Sequence, residues 1–457
     1  MNKFDRSIIS TVISELRSNT NLDVQEYKDF FISVFFVFFM STHRRGPDID
    51  IDLRFSGPML APYEDGFFSE LVLAAEQVDT IFKDELGLCE TIKHLIARAG
   101  KKNATAFRHA CIQLHTIVSN SGFSAIAGDC FEEIIQSFSE THGTRAGESY
   151  TPRELVEMMV EIVEPIGGES VYDPVCGSGG FLVLANTKAL NSTNHAPLKI
   201  HGREINLSAA RIARMNCIVH GIFDSDIRTA DSLQDLDVSA YDIILANPPF
   251  SLATDSYDRS ATCSYFDFGP PPANNADFAF LQMIIKSLKP GGRGAVLISN
   301  GVLFRGGIEG GIRKEIIQAG IIEAVISIPG GVLKSTGIPT AILVLRKPEF
   351  ADKPILLIDS AAAEKNMGAD LHVPLKPLFG AALQIYKKLD EVEGVSRLVT
   401  IDELAANNYN LNLSRYILSR QAQEKSLSEL IKRQRELEVN LVELQREFGE
   451  LLADYEI

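Results

Sequence analysis

Tryptophan is absent from this 457-residue chain, cysteine occurs six times and histidine nine. The cysteines, at positions 89, 111, 130, 176, 217 and 263, form no CxxC pair, and no HxxxH spacing occurs. That scatter speaks against a disulfide framework and a structural zinc site, and it predicts a metal-free protein of the reducing cytoplasm. Long apolar runs are missing too. The most apolar, residues 30–40, has eleven residues, against the ~20 that a membrane-spanning helix needs. It predicts a buried helix and no membrane association. The opening residues Met1-Asn2-Lys3-Phe4-Asp5-Arg6 do not read as a signal peptide. Positive charge is scarce: 44 Lys and Arg face 60 Asp and Glu, a net charge of −16. Such a balance keeps a protein soluble but works against unaided binding to DNA, whose affinity comes from neutralising phosphates. A nucleic-acid function would need basic surface from another chain.

What is present falls into three textures. Residues 1–140 carry apolar positions at helical spacing, among them Ile8, Val12, Ile13 and Leu16, then Leu71, Val78, Phe82 and Leu86. They predict an N-terminal helical domain. The run Pro47-Asp48-Ile49-Asp50-Ile51-Asp52-Leu53 resembles a calcium loop only superficially, because the expected glycine is Leu53. Residues 141–415 alternate short apolar runs with helix-length segments. The runs lie at 170–172, 199–201, 241–246, 294–298, 322–327 and 339–345. This pattern predicts an α/β domain with a mainly parallel, doubly wound sheet, which binds ligands at the carboxyl ends of its strands. In residues 416–457, Leu427, Leu430, Gln434, Leu437, Leu441, Leu444, Phe448, Leu451 and Tyr455 recur at heptad spacing. They predict a long helix that joins a partner subunit in a coiled coil.

The first candidate site is Tyr172-Asp173-Pro174-Val175-Cys176-Gly177-Ser178-Gly179-Gly180-Phe181, which closes the first strand of the α/β region and opens a helix. Glycines there let backbone approach a ligand, and the helix start offers free N–H groups. A dinucleotide is the default reading of such a turn. The spacing, however, is GxGG rather than GxGxxG, and the Asp173 carboxylate beside the loop would repel a pyrophosphate. The sulfonium and ammonium of S-adenosylmethionine suit that carboxylate better. Glu204 ends the next strand, where an acid can take ribose hydroxyls. Its distance of 31 residues from Asp173 exceeds the usual ~20, and the polar stretch 191–195 accounts for the excess. Asp231-Ser232-Leu233 follows another short strand and is a candidate for the adenine ring.

Asn247-Pro248-Pro249-Phe250, at the end of the run 241–246, completes the set. The exocyclic amine of a nucleobase is a poor nucleophile because its lone pair is delocalised into the ring. Two acceptors on its N–H bonds, the Asn247 side-chain oxygen and the Pro248 carbonyl, would localise that pair toward a methyl donor. The prolines fix the backbone and so preorganise both acceptors. Phe250 offers a face on which a flipped-out base can stack.

Together, residues 173–181 and 247–250 resemble the amino-methyltransferases of DNA. The order of further segments is similar to that of the modification subunit of type I restriction–modification systems. These segments are Gly147-Glu148-Ser149-Tyr150-Thr151-Pro152-Arg153-Glu154-Leu155, Asp277-Phe278-Ala279-Phe280, Leu288-Lys289-Pro290-Gly291-Gly292-Arg293, Asn300-Gly301-Val302-Leu303-Phe304-Arg305-Gly306-Gly307, Thr336-Gly337-Ile338-Pro339-Thr340 and Asn407-Asn408-Tyr409-Asn410-Leu411-Asn412. The chain departs from the family pattern at Ser149 and Ala230. The resemblance implies S-adenosylmethionine as methyl donor and the N6 of a flipped adenine in double-stranded DNA as acceptor. It implies a complex of two such chains with one DNA-specificity subunit, which a nuclease–translocase subunit can join. It places Glu148 to Arg153 at the methionine end of the donor, and Asp173, Pro174, Gly177, Ser178, Gly179 and Gly180 around it. Glu204 falls at the ribose, Asp231, Ser232 and Leu233 at the adenine, and Asn247 to Phe250 at the target base.

Only about 70 residues separate the glycine loop from Asn247, too few for a sequence-reading domain. The polar and aromatic segment 251–275 is instead expected to close over the flipped base. Sequence reading then falls to a separate subunit. The alternatives are cytosine-N4 methylation, whose tetrapeptide is similar, and a donor-binding assembly subunit without catalysis. Gly330-Gly331-Val332-Leu333-Lys334-Ser335-Thr336 lacks the glycine before lysine that a phosphate loop needs, so no ATPase motor is expected.

Overall fold

The computed structural model describes residues 23–42, 64–99, 104–119, 123–142, 151–192, 195–253, 266–333, 337–347, 353–366 and 376–417, with five helical residues between 434 and 441. Helix α1 (Val24–Thr42) starts in a reciprocal cap. The Glu26 N–H donates to Asp23 Oδ1 and the Asp23 N–H to Glu26 Oε2, both at 2.9 Å. From Phe30 to Met40 all but one of its residues are apolar, and these are at most 1% exposed, so the run expected to be a buried helix is one. A helix apolar on every side must be enclosed by others. Here α2 (Glu64–Ile81), α3 (Leu88–Ala99), α4 (Ala104–Val118) and α5 (Ala127–His142) supply the enclosure.

Among the described residues nine strands form one sheet: β1 (Ser170–Asp173), β2 (Lys199–Glu204), β3 (Ser225–Thr229), β4 (Tyr241–Ala246), β5 (Leu288–Ser299), β6 (Ile322–Ile328), β7 (Thr340–Arg346), β8 (Ile355–Asp359) and β9 (Ser396–Val399). Their order is β3-β2-β1-β4-β5-β7-β6-β8-β9. Strands β1 to β5 are mutually parallel, whereas β7 lies antiparallel between β5 and β6, and β9 is an antiparallel edge. The six expected runs are all strands. The chain leaves β1 for β2 on one side and returns to β4 on the other, which creates the crevice where such sheets take ligands.

Two apolar layers cover the sheet. On one face lie α6 (Arg153–Val163), α7 (Gly180–Leu190), α8 (Leu207–Val219) and α12 (Lys376–Lys388). On the other lie α9 (Asp277–Ser287), α10 (Gly307–Gln318) and the segment that follows α13 (Ile401–Ala406). The short α11 (Ser360–Asn366) follows β8. Helix α8 is buried on both sides: Ala213 and Cys217 face the sheet layer, while Ile212, Met215, Ile218 and Val219 join the core around α1. A hydrogen bond from Ser208 Oγ to Asp29 Oδ1 at 3.0 Å adds a polar link between α8 and α1.

Of the C-terminal heptads, Leu437 and Leu441 are helical and 53% and 55% exposed, and most of the other positions fall outside the described residues. The same holds for Ile8 to Leu16 and for residues 47–53. No helix among the described residues is long and apolar enough to cross a membrane.

Candidate active site

Because β1 to β4 run parallel, their carboxyl ends meet on one edge of the sheet, and the candidate residues lie along it. Asp173 closes β1 and is 1% exposed. Burial pushes its carboxyl group up to about 8, and the nearby Glu204 adds to the rise, although the Val175 N–H donates to Oδ1 at 3.0 Å. Asp173 is thus a largely protonated acid at neutral pH rather than the ionised carboxylate that the sequence placed beside the loop.

Beyond Asp173 the chain turns sharply. Gly177 and Gly179 have φ of +51° and +82°, a region that side chains rarely adopt. A Cβ on Gly179 would also lie 3.4 Å from Ala213 Cβ of α8, whereas around Gly177 and Gly180 a Cβ would meet no atom of the described residues within 4 Å. The loop is therefore packed from behind and open in front. No side chain caps the start of α7, so its first N–H groups have no such partner. Glu204 holds the loop from the β2 side, accepting from the Gly177 N–H at 3.0 Å and the Asn206 N–H at 2.8 Å. Asn216, buried in α8, donates from Nδ2 to the Ser178 carbonyl at 3.0 Å. Sequence reading passed over Asn216. Its signal was an amide on the otherwise apolar Ala213–Cys217 face.

Arg203, next to Glu204, points the opposite way and is fully buried. Its guanidinium donates to Asp235 Oδ2 at 2.9 Å and Asp237 Oδ2 at 3.1 Å, and lies 5.9 Å from the Tyr172 ring centroid. These bonds anchor the loop that carries Asp231, Ser232 and Leu233. Within it, Asp231 accepts from the Leu233 N–H at 3.0 Å and from Gln234 Nε2 at 2.9 Å, while Ser232 and Leu233 are buried. Replacing Asp235 and Asp237 together by alanine strips Arg203 of two partners. The double variant should lose about 2 kcal/mol of stability by urea denaturation, because the buried guanidinium is left with Asp226, 3.7 Å away, and the Gly202 carbonyl as its remaining partners. A loss below about 0.5 kcal/mol would place the anchoring elsewhere.

At the end of β4, Asn247 donates from Nδ2 to Thr151 Oγ1 at 2.9 Å, across 96 residues of sequence. Thr151 stands just before α6, so the packing of that helix orients the Asn247 amide and leaves its Oδ1 available as an acceptor. Pro248 is buried, Pro249 exposed, and Phe250 half-buried against the α6–α8 layer. Ser251 follows in the left-handed region, φ +52°, a conformation that costs a non-glycine residue about 1–3 kcal/mol.

Thr151 thus meets Asn247, and Glu204 meets the glycine loop. Arg153 turns away, its guanidinium lying 3.3 Å from Glu157, 3.5 Å from Asp129 and 3.7 Å from Glu132, where α6 adjoins α5. Glu148, Ser149 and Tyr150 fall outside the described residues. In the segment expected to close over the base, Phe266 and Phe268 pack on the α9 layer, and Gln282 bonds the Phe268 N–H at 3.0 Å and the Gly269 carbonyl at 2.9 Å. Residues 254–265 are not described. No group of three or more His, Cys, Asp or Glu among the described residues is placed to hold a metal.

The arrangement combines a glycine cradle open to a ligand, two acids beside it and an oriented amide acceptor on the neighbouring strand. Residues 123–425 match the family model described as N-6 DNA Methylase. The chain is 31% identical over 308 residues to the type I restriction enzyme HindI methylase subunit of Haemophilus influenzae, covering 65% of this chain and 69% of that one. It is 28% identical over 312 residues to the MjaIX methylase subunit of Methanocaldococcus jannaschii, of which it spans 55%. In fold it is similar to the type I restriction–modification methyltransferase subunit from Streptococcus thermophilus, with a TM-score of 0.71 at 22% identity over 90% of this chain and 98% of that one. Matched by the family model over well more than half its length, the chain belongs to the N-6 DNA Methylase family.

Proposed function

We propose that this chain methylates the N6 of adenine in DNA and is the modification subunit of a type I restriction–modification complex. The observation that carries this reading is the Asn247 amide at the end of β4, held by Thr151 with its oxygen unengaged among the described residues, one strand from the glycine cradle. Asn247 Oδ1 and the Pro248 carbonyl accept the two amine hydrogens of the target base and turn its lone pair toward the donor. Phe250 supports the extruded ring.

S-adenosylmethionine fits the residues on β1 and β2. The space before Gly177 and Gly180 admits a ligand, the uncapped start of α7 offers N–H donors to a carboxylate, and Asp173 and Glu204 offer acceptors to ammonium and ribose. Asp231, Ser232 and Leu233 lie where the purine would end. When bound, the group supplies a sulfonium methyl for direct displacement by the base nitrogen. Thr151 and Pro152 stand on the side proposed for its methionine end, whereas Arg153 faces α5 and takes no part there.

Double-stranded DNA, a DNA-specificity subunit engaged through the C-terminal helix and a second copy of the chain complete the complex, with a restriction–translocase subunit as a further member. The net charge of −16 supports shared DNA binding. The domain division 1–140, 141–415 and 416–457 and a cytoplasmic location follow from the same reading. Base-modification sequencing of DNA from cells expressing the chain with its genomic neighbours should show N6-methyladenine at one defined motif. N4-methylcytosine there would assign the sister chemistry. No modification from an assembled, donor-binding complex would assign a scaffold.

A further inference from the structure

We infer that Asp277 is a positioning residue of the methyl transfer, locking the exit of the target-base loop against the end of β5. This deepens the proposed function and rests on it. Asp277 is the first residue of α9 and its side chain is 5% exposed. A carboxylate at that place commonly serves its own helix, whose first N–H groups and dipole attract it. Here both oxygens turn outward. Oδ1 accepts from the Ser251 N–H at 2.7 Å, and Oδ2 accepts from Ser299 Oγ at 2.9 Å and from the Arg305 guanidinium. The Ala276 N–H adds a second clasp to the Leu252 carbonyl at 2.9 Å.

Two stretches distant in sequence therefore converge on one carboxylate: the chain leaving Phe250, and the end of β5 with the turn after it. Ser251 is the residue held in the left-handed region, immediately after the tetrapeptide. Without the Asp277 acceptor nothing in its own side chain favours that conformation, and relaxation to an ordinary φ would swing Phe250 and the Pro248 carbonyl away from their directions. Arg305 is fixed in turn. It lies 2.7 Å from Glu309, and a Cβ on Gly301 would be 2.8 Å from its guanidinium carbon. The Asp277–Arg305 pair thus fixes the place of the acceptor. Segments 277–280 and 300–307, which carry part of the family resemblance, acquire a shared physical task.

The test uses the full chain assembled with its DNA-specificity partner. Asp277→Ala should lower kcat about 100-fold, the cost expected of a displacement of roughly 1 Å at reacting groups, while the Kd of S-adenosylmethionine stays within about threefold. Asp277→Asn, which keeps an acceptor for Ser251, should retain at least about a tenth of wild-type kcat. Ser251→Gly placed in the Asp277→Ala background should recover about tenfold, because glycine adopts the required φ without the clasp. Fluorescence of 2-aminopurine at the target position should rise less with Asp277→Ala than with wild type. Wild-type kcat in Asp277→Ala, a parallel loss of donor affinity, or no recovery by Ser251→Gly would each overturn the positioning role. A wild-type complex that makes no N6-methyladenine would instead overturn the functional reading, and the inference with it.

Discussion

Asn247→Ala should reduce methyl transfer by about 10³-fold or more while leaving the Kd for S-adenosylmethionine and the assembly of the complex nearly unchanged. The size of the effect follows from what the side chain does. The amine of adenine donates its lone pair to the ring, and the reaction needs that pair on the nitrogen. Alanine removes an acceptor whose place is set in advance by the bond from Nδ2 to Thr151 Oγ1. The substitution also leaves the Thr151 hydroxyl without its partner, but Thr151 is half-buried and that loss is small beside the catalytic one. The selectivity has a geometric basis. Asn247 lies on β4, whereas the glycine loop is held by Glu204 from β2 and Asn216 from α8, so the donor cradle does not depend on it. Single-turnover rates with labelled donor, beside calorimetric titration of the donor, separate the two quantities. A variant that methylates at the wild-type rate would remove Asn247 from the chemistry.

The second large effect concerns Asp173, whose carboxyl group burial lifts from 3.8 to about 8. Between those values the native protein holds a proton that the unfolded chain has released. Stability from this group is therefore complete below about pH 4 and is lost as pH rises through 8. Asp173→Asn, neutral at every pH, should flatten the stability profile between pH 4 and 8 and raise stability at pH 8 by on the order of 1 kcal/mol or more, read by thermal denaturation. The same change should weaken donor binding about 10- to 100-fold, since an amide cannot answer a cation with charge. In the wild type a cationic ligand bound at this site should draw the carboxylate form out. Donor binding at pH 7 should release a proton, so its apparent enthalpy should differ between buffers of unlike ionisation heat. An enthalpy independent of buffer, or Asp173→Asn with wild-type affinity, would separate Asp173 from the ligand.

A stabilising and disabling substitution at one position is what a site held ready for a charged ligand produces. The buried acid is costly to ionise, so at neutral pH the ligand-free site holds a proton that the unfolded chain has released, at a cost to stability.

Much of the sheet was legible in the chain itself. Strands buried on both faces read as continuous apolar runs, and the helix Phe30–Met40 announced itself because no polar face interrupts it. Glycines and prolines at strand ends likewise marked the loops of residues 174–180 and 247–250, since tight turns there admit few other residues. Strands β8 and β9 were not anticipated. β1 is no longer than these, but a proline and glycine loop marks its end, whereas β8 and β9 lead through Ser360 and Thr400 straight into helices.

The amino-acid sequence by itself determined the periodicities, hence the elements, and the local chemistry at the ends of the strands. Tertiary structure alone decided which distant groups meet. Thr151 orients Asn247, Asn216 braces Ser178, Arg203 gathers Asp235 and Asp237, and Asp277 joins Ser251 to Ser299. It also decided that α8 serves two cores and that Asp173 is a buried, protonated acid rather than an ionised carboxylate. The reason is physical. Periodicity records which face of an element is buried, whereas a hydrogen bond between segments leaves no period in either, and a pKa depends on solvent that only the assembled fold excludes.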